Sequence, residues 1–225
     1  MSQSNRLRQT REGTVINEES KVQEIKMQDV SLDVINSLQN ETGLTIHLKK
    51  RIMLKDIVAL LQERNPNQTY AQVKTTTYLQ PDGGVIYLTD KDDNIYPILI
   101  GEVKKQGTND KRQEEGKDKQ AQGNAVERLG KNVIGFKQMV SNEEYTPFVC
   151  FGEGCDFAVG SSILDRVHTI ACFRPINCID TDRSSMGSFF FREEKWTKQE
   201  MYDIMYAIAS QAINYYVQKY GEIFI

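Results

Sequence analysis

An α/β fold, with a mixed central β-sheet flanked by helices, is what this 225-residue chain predicts. Three observations carry the prediction. Two apolar runs, one around Val85, Ile86 and Leu88 and one from Ile95 to Ile100, flank the acidic turn Asp90-Lys91-Asp92-Asp93-Asn94, the pattern of a β-hairpin. Segments with 3.6-residue periodicity stand before and after this hairpin. The resulting order of helix, strands, helix, strand, strand, helix is that of a layered sheet rather than a bundle or a sandwich.

Each element has a local cause. Residues 1–20 are polar and read as a mobile N-terminal arm, ahead of a single domain over 21–225. From Lys21 to Asn40, Val22, Ile25, Val30, Val34, Ile35 and Leu38 outline an interrupted amphipathic helix. A clearer helix spans 54–64, with Leu54, Ile57, Val58 and Leu61 on one face and Pro66 as its stop. Strands are expected at 72–79, 84–90 and 95–104, and a long charged loop at 105–120. A helix should run from Asn124 to Val140, with Ala125, Leu129, Phe136 and Val140 inward. Residues 147–151 and 167–173 look like buried strands. The last helix has the best start signal: Thr197 with Glu200 fits a capping box, and Met201, Ile204, Met205, Ile208 and Ala212 continue its inner face to about Tyr220.

Composition excludes some classes. At 39% hydrophobic and 26% charged residues the chain is that of an ordinary soluble protein, with no apolar run near the ~20 residues of a membrane helix. The start, Met1-Ser2-Gln3-Ser4-Asn5-Arg6, has no signal-peptide core, so a cytoplasmic location is expected. A net charge of −3 gives no global basic field, and nucleic-acid contact would need a local cluster such as Arg6, Arg8 and Arg11 or the lysines between 104 and 119. Cys150, Cys155, Cys172 and Cys178 match no common zinc spacing and read as buried thiols.

Chemistry concentrates at the hairpin. Asp82, after Pro81 and before Gly83-Gly84, and Glu102, at the end of the second run, should approach one another where the strands pair. Two close carboxylates repel, and a hard divalent cation relieves that repulsion. Lys104, two residues beyond Glu102 on an extended strand, projects to the same face. The set suits metal-assisted attack of water on a phosphodiester. Each half also has a plain structural reading, a turn aspartate and a cross-strand ion pair. In Gly123-Asn124-Ala125-Val126-Glu127-Arg128, positions 124, 127 and 128 share one face of a helix start. Such an end can enter a major groove, where asparagine bonds adenine N6 and N7 and arginine reaches a base N7 or O6. The structural alternative is a glycine turn and an asparagine N-cap.

Together these blocks resemble the EcoRI and MunI group of type II restriction endonucleases, within the PD-(D/E)xK nuclease superfamily. The resemblance is carried by Pro81-Asp82-Gly83-Gly84, by Gly101-Glu102-Val103-Lys104-Lys105-Gln106-Gly107, and by Gly123-Asn124-Ala125-Val126-Glu127-Arg128 with Lys131-Asn132. It extends over roughly residues 70–215, and the Gly-Asn-Ala-x-Glu-Arg element is far more specific than the nuclease motif.

The resemblance implies a restriction-endonuclease-like core in which Asp82, Glu102 and the Val103 carbonyl bind Mg2+, while Lys104 orients or helps deprotonate the attacking water. It implies that Asn124, Ala125 and Arg128 read inner AATT bases, that Glu127 holds the recognition side chains, and that Gly123 lets the backbone approach. Arg166 corresponds to an arginine near an outer guanine, and Gln122 either bonds a base edge or faces water. The implied activity is Mg2+-dependent hydrolysis of double-stranded DNA at a palindromic AATT-containing site, GAATTC or a relative, leaving 5′-phosphate ends. A homodimer would cut both strands, and the host would carry a cognate DNA methyltransferase. Rival readings are a repair or recombination nuclease of the same superfamily and a catalytically silent sequence-specific DNA-binding protein.

Overall fold

Thr14–Thr42 forms one continuous helix, α1, in the computed structural model of the chain. That model describes residues 14–105, 116, 123–171, 176–177 and 186–224, with the side chains of 14–20, 123–125 and 222–223 outside the description. The expected arm therefore divides: residues 14–20 are helical and 1–13 lie outside the described residues. The helix is not interrupted at Ser31, because that hydroxyl donates to the Met27 carbonyl at 2.9 Å and stays within the helical ladder. Its buried face is Gln23, Met27, Val30, Ser31, Val34, Ile35 and Leu38, whereas Val22 and Ile25 are exposed.

Short strands β1 (His47–Lys49) and β2 (Ile52–Met53) lead into helix α2 (Leu54–Arg64). The strand expected at 72–79 is reduced to β3 (Tyr78–Leu79), which among the described residues pairs only with β2. Residues 74–77 instead close a turn, with the Thr77 N–H donating to the Lys74 carbonyl at 3.1 Å. The hairpin is present as β4 (Gly84–Thr89) and β5 (Ile95–Lys105), antiparallel and with an irregularity between Ile86 and Tyr87. Asp90 closes its turn by accepting hydrogen bonds from the Asp92 and Asn94 N–H groups. The loop expected at 105–120 lies almost wholly outside the described residues.

Helix α3 (Gly123–Met139), strand β6 (Phe148–Glu153), helix α4 (Ser162–Ile170), strand β7 (Ser188–Arg192) and helix α5 (Lys198–Tyr220) complete the core. The strand expected at 167–173 is a correction: residues up to Ile170 belong to α4. Ser161 caps that helix by accepting from the Leu164 N–H, and Ile163 and Val167, four residues apart, bury together on one helical face. The fifth strand of the sheet is instead Ser188–Arg192. Sheet order is β1-β4-β5-β6-β7, with β4 antiparallel to both β1 and β5, and β5, β6 and β7 mutually parallel.

Two apolar cores cover the two faces of this sheet. One unites α1 and α5 with Leu99, Val103, Val149, Phe151 and Phe190. The other unites α3 and α4 with Ile100, Phe148, Cys150, Phe189 and Phe191. The alternation along β5 therefore places Glu102 on the same face as Ile100, toward α3. Helices α1 and α5 run in the same direction, joined by Asp29 with Lys198, Ser37 with Tyr202 and Glu41 with Tyr206. The capping box at Thr197 and Glu200 is present as the sequence predicts. Cys150 is fully buried and Cys155 half-buried; Cys172 and Cys178 lie outside the described residues.

Candidate functional site

Hairpin register brings Asp82 and Glu102 together. Gly84 pairs with Gly101, and the Gly83 N–H donates to the Gly101 carbonyl at 2.9 Å, which pins residue 82 beside residues 101–103. Gly84 has φ +77, in the left-handed region that favours glycine, and a Cβ there would also displace the end of the Leu48 side chain and crowd the Lys49 carbonyl at 3.2 Å. Asp82 Oδ2 accepts from the Val103 N–H at 3.1 Å.

Lys104 sits at the centre. Its ammonium donates to Glu102 Oε1 and to the Val103 carbonyl at 2.9 Å, and lies 3.5 Å from Asp82 Oδ2. One cationic atom thus meets all three groups that the resemblance assigns to a metal. Glu102 is only 2% exposed. Its Oε1 also accepts from Asn132 Nδ2 at 3.2 Å, while its buried Oε2 has no hydrogen-bond partner among the described residues.

Electrostatics follow from this packing. Burial pushes the Glu102 carboxyl pKa up; the Lys104 charge opposes that rise and the Asp82 charge adds to it. Burial would lower the Lys104 pKa, but the Glu102 and Asp82 carboxylates together outweigh it, and the net direction is upward. Cys150, the strand partner of Glu102, has its thiol pushed well up by complete burial and is an inert filler.

Two contributors were not tied to the site by the sequence reading. Asn132 appeared there only as part of a motif. Glu24 did not appear at all: it lies one turn before Met27, whose Cε would be 2.6 Å from a Cβ on Gly101. Partial burial and then the Asp82 charge raise the Glu24 pKa, with Lys104 and Lys21 pulling it down. No sequence signal marks Glu24, because its proximity depends on how α1 lies across the hairpin.

The residues expected to read DNA are placed in part. Gly123, Asn124 and Ala125 begin α3, but their side chains lie outside the description, as does Gln122 entirely. Glu127 and Arg128 are exposed on the next half-turn. Arg166 is exposed on α4. Ile170 of α4 packs over Gly130 of α3, where a Cβ would meet its Cδ1 at an ordinary 3.6 Å. A separate cavity of about 600 Å³, lined in part by Arg64, Tyr96, Glu143, Tyr216 and Tyr220, includes the turn end of the hairpin and none of the residues named above for the site.

These residues fit a hard divalent cation. Three oxygen donors already converge on one positive atom, and a buried carboxylate oxygen waits without a donor. Among the described residues no group of three or more His, Cys, Asp or Glu could hold a metal. A hard cation can be held by one or two carboxylates and complete its shell with water and phosphate.

Comparison with known proteins gives the same direction. The family model described as Restriction endonuclease EcoRI matches residues 10–222. The chain is similar to Type II restriction enzyme RsrI of Cereibacter sphaeroides, at 25% identity over 84% of this chain and 83% of that protein. It is also similar to Type II restriction enzyme EcoRI of Escherichia coli, at 24% identity over 86% of this chain and 85% of that protein. No helix among the described residues is long and apolar enough to cross a membrane. With the family match spanning nearly the whole chain around this hairpin and helix, the protein belongs to the EcoRI family of type II restriction endonucleases.

Proposed function

We propose that this enzyme is a Mg2+-dependent homodimer that hydrolyses double-stranded DNA within a palindromic site containing AATT, leaving 5′-phosphate ends, and that it works in the cytoplasm beside a cognate methyltransferase. The observation that carries the metal chemistry is the convergence of Asp82, Glu102 and the Val103 carbonyl on a single cation, the Lys104 ammonium. Asp82, Glu102 and the Val103 carbonyl would hold Mg2+, which when bound polarises the scissile phosphate and acidifies a water.

The protein's own groups do the rest. Asp82 is held by the Val103 N–H, so one of its oxygens stays aimed at the end of β5. Lys104 keeps its proton beside two carboxylates, so it acts as a charged donor that orients water and phosphate rather than as a base in this state. Asn124, Ala125 and Arg128 read inner bases from the start of α3, where the helix dipole also favours phosphate, with Gly123 giving close approach and Glu127 bracing the side chains. Arg166 and Gln122 are assigned to the outer base pair. A palindromic site requires a two-fold pair of subunits, each cutting one strand.

The test is digestion of plasmid DNA of known sequence with purified protein and Mg2+, followed by sequencing of the ends. Discrete ends sharing AATT are expected, and none with EDTA or with Glu102→Ala. Cleavage that survives either treatment would refute the metal assignment. Ends scattered over any duplex, or confined to branched DNA, would replace sequence readout with the reading of DNA structure.

A further inference from the structure

We propose that Asn132 is a positioning residue that couples sequence readout to catalysis by tying the DNA-reading helix to the Glu102 carboxylate. The inference rests on the reading above of Glu102 as a metal ligand and of the start of α3 as the base-reading element, and it goes beyond both.

The observation is the hydrogen bond from Asn132 Nδ2 to Glu102 Oε1 at 3.2 Å, between residues 30 positions apart. Asn124, Arg128 and Asn132 stand at i, i+4 and i+8, one stripe of a single helix. The stripe begins at the expected DNA contact and ends, about 12 Å along the axis at ~1.5 Å per residue, on the buried carboxylate. Leu129, Val133 and Phe136 of the same helix are buried in the core beneath the sheet, so close packing anchors α3 along the length between its tip and Asn132.

Asparagine is a poor helix former in a helix interior, and packing here is already supplied by its apolar neighbours. What its amide adds is a second donor to Oε1, besides Lys104. Oε2 makes no hydrogen bond among the described residues, although the Asp82 backbone N–H favours the charged carboxylate. When a divalent cation takes over the charge that Lys104 now neutralises, Asn132 remains as the side-chain donor that sets how Glu102 is turned. Engagement of the helix tip by its sequence therefore settles the carboxylate that holds the cation.

Four variants test this: Asn132→Ala, Asn132→Asp, Arg128→Ala and Glu102→Gln. For Asn132→Ala, affinity for the preferred duplex in EDTA should stay within threefold of wild type. Mn2+ binding to the enzyme–DNA complex, read by electron paramagnetic resonance, should weaken about 10–100-fold, as should single-turnover cleavage of the preferred site, the range for partners of metal ligands. Cleavage at sites with one altered base pair should fall less, so the ratio of rates narrows. Asn132→Asp, nearly isosteric, loses the amide donor and should also lose single-turnover cleavage, even where its added carboxylate sustains Mn2+ binding. A merely structural asparagine would not separate cleavage from duplex affinity in this way. Arg128→Ala should instead weaken duplex binding itself.

Wild-type Mn2+ binding in Asn132→Ala, equal losses at preferred and altered sites, or an Asp variant as active as wild type would each overturn the proposal. If Glu102→Gln is inactive while Asn132→Ala is normal, the coupling alone fails. If Glu102→Gln cleaves normally, the underlying reading of Glu102 fails and takes this one with it.

Discussion

Replacing Lys104 with Met separates the structural role of its charge from the catalytic one. Met fills the volume of the lysine stem but leaves Glu102, 2% exposed, beside Asp82 with no counter-ion. At the 3.5 Å between Lys104 and Asp82, an effective dielectric of about 20 gives an attraction of about 5 kcal/mol. Removing one partner of a buried pair costs roughly 3–5 kcal/mol, and the side-chain exposures of 18% for Lys104 and 22% for Asp82 reduce that through solvent screening. A loss of about 2–4 kcal/mol is therefore expected in metal-free protein, measured by urea denaturation followed by circular dichroism. Because the ammonium sits where the oxygens converge, Ca2+ should bind the variant more tightly than wild type and restore much of the stability, by about 2.7 kcal/mol at 100 times its dissociation constant. Cleavage in Mg2+ should still be lost. A metal-free variant as stable as wild type, or Ca2+ stabilising both proteins equally, would refute the view that Lys104 stands in for the cation.

Further outcomes follow from the same geometry. Asn124→Ala should cost ~1–3 kcal/mol of discrimination at an adenine position, seen as a lower ratio of cleavage rates between the preferred site and its one-base variants; an unchanged ratio removes Asn124 from the readout. Glu102 has its pKa raised by burial and would have to be ionised to hold a cation, so metal affinity should begin to fall at a pH above the ordinary carboxyl value of 4.5; an affinity that stays constant down to 4.5 contradicts the burial argument. Glu200→Ala removes a capping box and an Arg192 contact at 2.7 Å, and should cost roughly 1 kcal/mol after allowance for its exposure. The Glu200 carboxyl is held down to about 2 by Arg192 and Thr197, so its contribution is complete above the ordinary value of 4.5 and is lost as pH falls toward 2. Wild type and Glu200→Ala should thus converge in stability over that window, which acid titration at fixed urea would show.

The errors in the sequence reading have identifiable causes. The β-branched residues Val167, Thr169 and Ile170, in an apolar run to Phe173, look like a strand, yet Ser161 caps the preceding turn and the i, i+4 pair Ile163 and Val167 finds a helical partner in α3. The true fifth strand, Ser188–Arg192, carries three consecutive phenylalanines without alternation, because both sheet faces are covered: Phe190 enters one core, Phe189 and Phe191 the other. The run at 72–79 lacked a partner beyond the two residues of β2. By contrast the hairpin, the helix at 54–64 and the capped last helix were legible, since their signals lie within a few residues of the structure they specify.

The sequence alone determined the short-range features: the acids at 82 and 102 on neighbouring strands, Lys104 on the face of Glu102, the glycines that admit the turn, and one stripe of polar residues along α3. Those depend on local dihedrals and on the periods of strand and helix. Only the tertiary structure decided that Glu102 is buried with one oxygen unmatched, that a single ammonium meets all three oxygen donors, that Glu24 feels the charge of Asp82, and that Asn132 reaches Glu102. Burial and charge proximity are set by surfaces brought together from distant parts of the chain, and no local pattern encodes the distance between them.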